Sequence, residues 1–458
     1  MRQTGREYWA ELVALEFEQR NQEGCDVESV RQEVMLYDQL EEAELRDLYE
    51  QLLRIEIRPD FGYSEPSDWE GIQAAAAPGG LETMDTDLVD GDLYDRLHGG
   101  WLGRCVACLL GKPSESLPKD QIEHWLLEAD AYPLDNYFPR VALDDQSPDW
   151  LRERFDLIDG WSPGRRHHED WRPDTLRGAI TQMVRDDDLD YPVMRLDVLD
   201  TIGLDATSMD LAESLNYQLP YRRIWSAERS AYRNVVNGIH PPDSASVQNP
   251  HREAIGAMTR ADLWGYVYPG QPQHAVERAY QDAAWSHTKN GIYGELFAAA
   301  AISAAFATSD PAEIVLIGLR AVPTTSRLYE AIDRTVAWSR EYATWGESWL
   351  QIDSAYGHYD WAHTIPNVCW IVLGLLYGGG DFTKSVGITV MCGMATDSTA
   401  ATVGSILGVM HETDGIPEHL RSPLNDRLAS YVVRSGSVRI SDLARRTLDV
   451  IRKEGTSP

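Results

Sequence analysis

The run HTIPNVCWIVLGLLYGGGDFTKSVGITVMCGMATDSTAATVGSILG, residues 363–408, reads as helix after helix. Apolar residues recur at helical spacing over Pro366–Leu376 and over Thr383–Gly393, and a helix of small residues, Ala400–Gly408, follows. Gly404 and Gly408 inside that last helix imply close helix–helix approach, because a residue without a side chain lets two backbones meet. Between the second and third helices lies Gly393-Met394-Ala395-Thr396-Asp397-Ser398-Thr399, a tight turn carrying a carboxylate.

Outward from this run the same pattern repeats. Tyr94–Leu110, Tyr191–Ile202, Leu296–Phe306 and Pro311–Val322 carry helical periodicity, and strand-like alternation is nearly absent. Residues 6–57 also read as helix, with Trp9, Leu12, Val13 and Phe17 on one face and Leu45, Leu48, Leu52 and Ile55 on another. A looser stretch with Pro59, Pro66 and Pro78-Gly79-Gly80 follows. The expectation is an all-α body over 85–458 preceded by a helical extension and linker over 1–84. Polar, aromatic segments at 132–171, 216–273 and 336–361 read as long loops.

A formal net charge of −32 argues against binding a phosphate backbone, so no nucleic acid is expected as a partner. Arginine dominates the cations, which fits either a GC-rich genome or a salt-adapted surface. Five scattered cysteines make no disulfide framework, and Cys105 and Cys108 fall in an apolar helical stripe that reads as reduced core thiols. No apolar run is long enough to cross a bilayer and no secretory leader opens the chain, so a cytoplasmic protein without membrane contact is expected.

Three places join carboxylates to tight backbone geometry. Leu110-Gly111-Lys112-Pro113-Ser114-Glu115 ends a helix and presents Glu115; Arg185-Asp186-Asp187-Asp188 precedes another; Thr396-Asp397-Ser398 opens a third. Consecutive carboxylates repel one another, and oxygen donors of this kind suit Mg²⁺, Mn²⁺ or Ca²⁺. The same aspartates would also serve as ordinary helix caps.

The stretches DRLHGGWLGRCVACLLGKPSE (95–115), NPHREAIGAMTRADLWGYVYPG (249–270), QDAAWSHTKNGIYGELFAAAAISAAF (281–306) and the 363–408 run, taken in order, resemble the ADP-ribosylglycohydrolase family. The resemblance implies an orthogonal multi-helix bundle that hydrolyses an N-glycosidic bond to ribose, using one or two divalent ions, with Mg²⁺ foremost. Its substrate would be an ADP-ribosylated protein or a small ribosyl compound. Carried over by motif, the family's early glutamate falls on Glu115, and its Thr-Asp-Asp ligand triplet falls on Asp186, Asp187 and Asp188. Its Asp-X-Asp motif reads Ala395-Thr396-Asp397-Ser398 here, so the first carboxylate is missing. Glu115, Asp187 and Asp397 become the expected catalytic residues, and Asp186, Asp187, Asp188, Asp397 and Ser398 the expected metal ligands. Substrate contacts are expected from His287, Asn290, Gly291 and Tyr293 in one signature turn, from Trp264 and Tyr266, and from His363, with Trp345 and Trp349 as a rim. Capping and core packing are the plain alternatives for each of these. Ala395 keeps open a second reading, a non-catalytic binding or structural protein on the same fold.

Overall fold

The computed structural model describes residues 5–86, 88, 90–161 and 171–455. Among them the chain is helical throughout, the exception being one two-stranded antiparallel ribbon that pairs Arg427–Ala429 with Ser437–Arg439. The expected helices are all present, most of them a turn longer than their apolar periodicity: Asp90–Gly111, Asp187–Thr201, Asn290–Ala304, Thr364–Gly378, Phe382–Met391 and Thr396–His411.

The segments read as long loops contain helices as well. Asp149–Asp159, Ser226–Val236, Asp262–Val267, Arg327–Glu341 and Trp345–Tyr356 lie wholly or partly within them. The last is announced by a capping box: Thr344 Oγ1 accepts from the Glu347 amide, and the Glu347 carboxylate accepts from the Thr344 amide. Residues 162–170, part of the 132–171 segment, lie outside the described residues.

Two helices far apart in sequence form the axis of the body. Asp90–Gly111 and Thr396–His411 run antiparallel with their backbones touching. A methyl group on Gly103 would strike the Gly404 carbonyl, one on Gly408 the Gly99 carbonyl, and one on Gly111 the Thr396 carbonyl. The spacing of Gly99, Gly103 and Gly111, four and then eight residues, keeps this bare stripe on one helix face. The crossing therefore brings the C-terminal end of the first helix beside the N-terminal end of the second. At that junction Thr396 Oγ1 donates to the Gly111 carbonyl at 2.8 Å.

The N-terminal residues hold a small apolar core of their own, built on Leu12, Val13, Phe17, Leu45, Leu48 and Leu52. Buried ion pairs tie this segment to the body. Arg252 grips Glu16 through both terminal nitrogens at 2.9 Å and Glu23 at 2.8 Å. Arg327 pairs with Glu65 and Glu253, each at 2.7 Å. No described helix is long and apolar enough to cross a membrane.

Candidate metal centre

The first helix ends at Gly111 because Pro113 has no amide hydrogen to continue the ladder, and a single 3₁₀ turn, Lys112–Ser114, follows. Glu115 leaves this turn half-buried. The next residues lie against the 393–394 turn: the Met394 amide donates to the Leu117 carbonyl at 3.1 Å, and the Ser116 amide donates to the Met394 carbonyl at 2.9 Å. Gly393 (φ 88°) suits that turn, where a Cβ would crowd the Leu117 carbonyl. This pairing holds Glu115 and the Ala395–Ser398 segment side by side.

Asp186 is the N-cap of the Asp187–Thr201 helix, its carboxylate accepting from the Asp188 amide at 2.8 Å. Pro192 sits inside this helix and cannot donate to the Asp188 carbonyl. That carbonyl accepts instead from Arg104 Nη2 at 2.6 Å. Arg104 is itself buried and paired with Asp262 at 2.6 Å. The aspartate triplet is thus fixed by an arginine from the glycine-stripe helix.

Lys112 is the unexpected member. Its ammonium is buried and bonded to Asp186 Oδ2, with Asp397 Oδ2 at 3.4 Å. A side-chain cation therefore lies between the two acidic segments. Beneath it, Cys108 Sγ and carboxylate oxygens of Asp186 and Asp188 lie within 4.8 Å of one another, a grouping able to hold a metal ion. Asp188 Oδ2 is buried with no hydrogen-bond donor. An unpartnered carboxylate oxygen on a residue grouped with a thiol and a second carboxylate fits a cation; without one, burial keeps that carboxyl in its neutral form.

The electrostatics agree. Burial and the charges of Asp186, Asp397 and Asp187 hold the Asp188 carboxyl far above the ordinary range. Asp397 is raised to about 6 by burial and by Asp186, against the pull of Lys112. Asp186 goes the other way: burial works to raise it, but Lys112 and Arg185 prevail and hold it low. Burial and the three nearby aspartates push the Cys108 thiol well above its usual value.

Of the expected ligands, Asp186 and Asp188 join this grouping, and Asp397 stands one ammonium away. Ser398 is buried beside Asp397 and donates its amide to Asp397 Oδ1 at 2.9 Å. Asp187 turns outward with its side chain 27% exposed, 3.8 Å from Arg185. Ala395 fills its place with a methyl group, and its amide donates to Asn367 Oδ1 at 3.3 Å.

None of the expected substrate residues is in the Cys108, Asp186, Asp188 grouping, and most are bonded into the scaffold. Trp264 and Tyr266 are buried, their polar atoms bonded to Asp282 and Ser405, and present no ring face to solvent. His287 is buried against Ser286. Asn290 bonds Glu65 and Glu253, and Tyr293 donates to the Pro66 carbonyl. Gly291 packs against the Arg252 carbonyl, where a side chain would collide. His363 caps the Thr364–Gly378 helix and stacks on Tyr359. It reaches the centre indirectly, through Asn367, whose side chain bonds the His363 carbonyl and the Ala395 amide. Trp349 stacks on Trp370, and Lys119 lies over both Trp345 and Trp349.

A family model described as ADP-ribosylglycohydrolase matches residues 90–456, and the chain belongs to that family. A solved structure titled "ADP-ribosylglycohydrolase-related protein complex" is similar at 16% identity, covering 79% of this chain and 99% of that one with a TM-score of 0.46. No curated protein matches the chain.

Proposed function

We propose that the protein is a metal-dependent hydrolase of an N-glycosidic bond to ribose, acting on an ADP-ribosylated protein or a small ADP-ribosyl compound. The observation that carries this reading is the convergence of Cys108, Asp186 and Asp188 around the unpaired Asp188 oxygen, within a chain of the ADP-ribosylglycohydrolase family. A bound divalent ion would polarise ribose oxygens and acidify a water molecule there. Breaking the bond to the anomeric carbon develops positive charge on the ribose, and the acidic surroundings favour that charge. Asp187, the most exposed member of the triplet, would accept a proton from the attacking water. Glu115, held beside the 395–398 segment, orients that water, and Asp397 with Ser398 supplies oxygens behind it.

Arg104 and Lys112 position the aspartates. Glu16, Glu23 and Glu65 of the 1–84 segment pair with Arg252 and Arg327 of the body.

The test is release of ADP-ribose from ADP-ribosyl-arginine and ADP-ribosyl-serine peptides, with and without chelator. Asp187→Ala should lower kcat by about 10²-fold or more. Turnover unchanged in Asp187→Ala and in EDTA would refute the assignment. Ala395 and the ammonium of Lys112 favour a second reading, a binding protein that has lost catalysis. It predicts metal-dependent stabilisation and ADP-ribose binding without turnover.

A further inference from the structure

We infer that the centre is a mixed thiolate–carboxylate site for a single transition-metal ion, with Cys108 as a direct ligand and Lys112 as a built-in cation where a second ion would otherwise sit. The inference rests on the metal-centre reading above and adds the identity of the donors, the class of ion and the number bound. Three observations support it.

Cys108 Sγ belongs to the one grouping among the described residues whose donor atoms converge, alongside Asp186 and Asp188. Sulfur is a poor ligand for Mg²⁺ or Ca²⁺ and a good one for Zn²⁺, Co²⁺ or Fe²⁺, so the donor set selects the borderline-soft ions over those expected from carboxylates alone. Asp188 Oδ2 is buried without a hydrogen-bond partner, on a residue of that same grouping. Lys112 Nζ meanwhile spans Asp186 and Asp397, and Ala395 offers no oxygen from its side chain, so an ammonium already bridges the two acidic segments where a second ion would bind.

A divalent cation with one thiolate and two carboxylates carries a net single negative charge, and the Lys112 ammonium lies against it, shared with Asp397. On binding, the Cys108 S–H and Asp188 O–H bonds break, sulfur–metal and oxygen–metal bonds form, and both protons leave to solvent.

Cobalt substitution of the full-length protein tests this without reference to turnover. The expected result is one Co²⁺ per chain, with a thiolate-to-cobalt charge-transfer absorption in the near ultraviolet. Cys108→Ser should abolish the band and weaken Co²⁺ binding by at least roughly 10- to 100-fold, the loss that even an outer-sphere partner causes. Cys105→Ser, which alters the neighbouring buried thiol, should keep the band. Circular dichroism of the metal-free variants checks that each is folded. Absence of the band in the wild-type protein, two ions per chain, or unchanged cobalt affinity in Cys108→Ser would each overturn the proposal. The band without ADP-ribose release refutes the hydrolase reading and leaves this one standing. Release supported by Mg²⁺ with no band in the cobalt form does the reverse.

Discussion

Asp282 and Asp188 are both buried aspartates, and their surroundings are opposites. Asp282 accepts from Arg195 through two bonds of 2.7 and 2.9 Å, from Arg260 at 3.1 Å, and from the indoles of Trp264 and Trp285 at 3.1 Å each. Burial would raise its pKa, but the two arginines overcome burial and hold it at about 2. Asp188 has an oxygen with no donor and three aspartate neighbours. One cluster is a finished piece of scaffold. The other is complete only with something more, and that difference, rather than acidity itself, separates a site from a structural network.

The contrast can be broken by exchanging what each carboxylate does for stability. Asp282→Ala leaves Arg195 and Arg260 buried without a counter-charge and should cost about 3–5 kcal/mol in urea denaturation. Asp188→Asn relieves repulsion in the metal-free protein, so its midpoint should hold or rise. The same variant should lose the stabilisation that saturating metal gives the wild type, which is about 2.7 kcal/mol at a hundred times Kd. Equal destabilisation by both substitutions would erase the distinction.

Acidity offers a finer comparison. A carboxyl lowered in the fold contributes stability that is present above its unfolded pKa and lost as pH falls through the folded value. Asp282 and Glu23, both held at about 2, should therefore destabilise the protein as pH drops below about 4. Asp397, raised to about 6, has the opposite sign: in the metal-free protein stability should fall as pH rises from about 4 to 6. Asp188, also raised, adds to that limb, so Asp397→Asn should make it shallower while leaving the acid limb in place. Thermal melts across pH 3–8 in EDTA follow both limbs, and an upper limb of unchanged slope in Asp397→Asn would assign it to other groups.

Much of the architecture was legible because it is periodic. The helices of the 363–408 run and the close approach at Gly404 and Gly408 follow from spacing alone. The helices placed in the 216–273 and 336–361 segments were harder to see, since those segments are polar, yet the Thr344–Glu347 capping pair was a readable start signal. The aspartate triplet announced a helix N-terminus and possessed the chemistry of a metal ligand. Lys112 gave no such sign, and the Cys105-Val-Ala-Cys108 spacing, which on paper suits redox or metal chemistry, was outweighed by its apolar neighbours. Cys108 sits in an apolar stripe indistinguishable from core, and Lys112 reads as a residue just past a helix end. Only the antiparallel crossing sets Lys112 beside Asp397, 285 positions away. Glu16 and Glu23 likewise look like the wet face of an amphipathic helix, because their partner Arg252 lies 236 and 229 residues on.

The glycine crossing has a consequence beyond packing. Gly103 lies nine residues before Lys112, about 14 Å along a helix, and a single methyl group there would pry the two rods apart. The distance between ammonium and carboxylate at their far ends is thus set by the thinnest point of the joint. Changes of residue size at that remote hinge would retune which charges face each other, without touching any group that carries them.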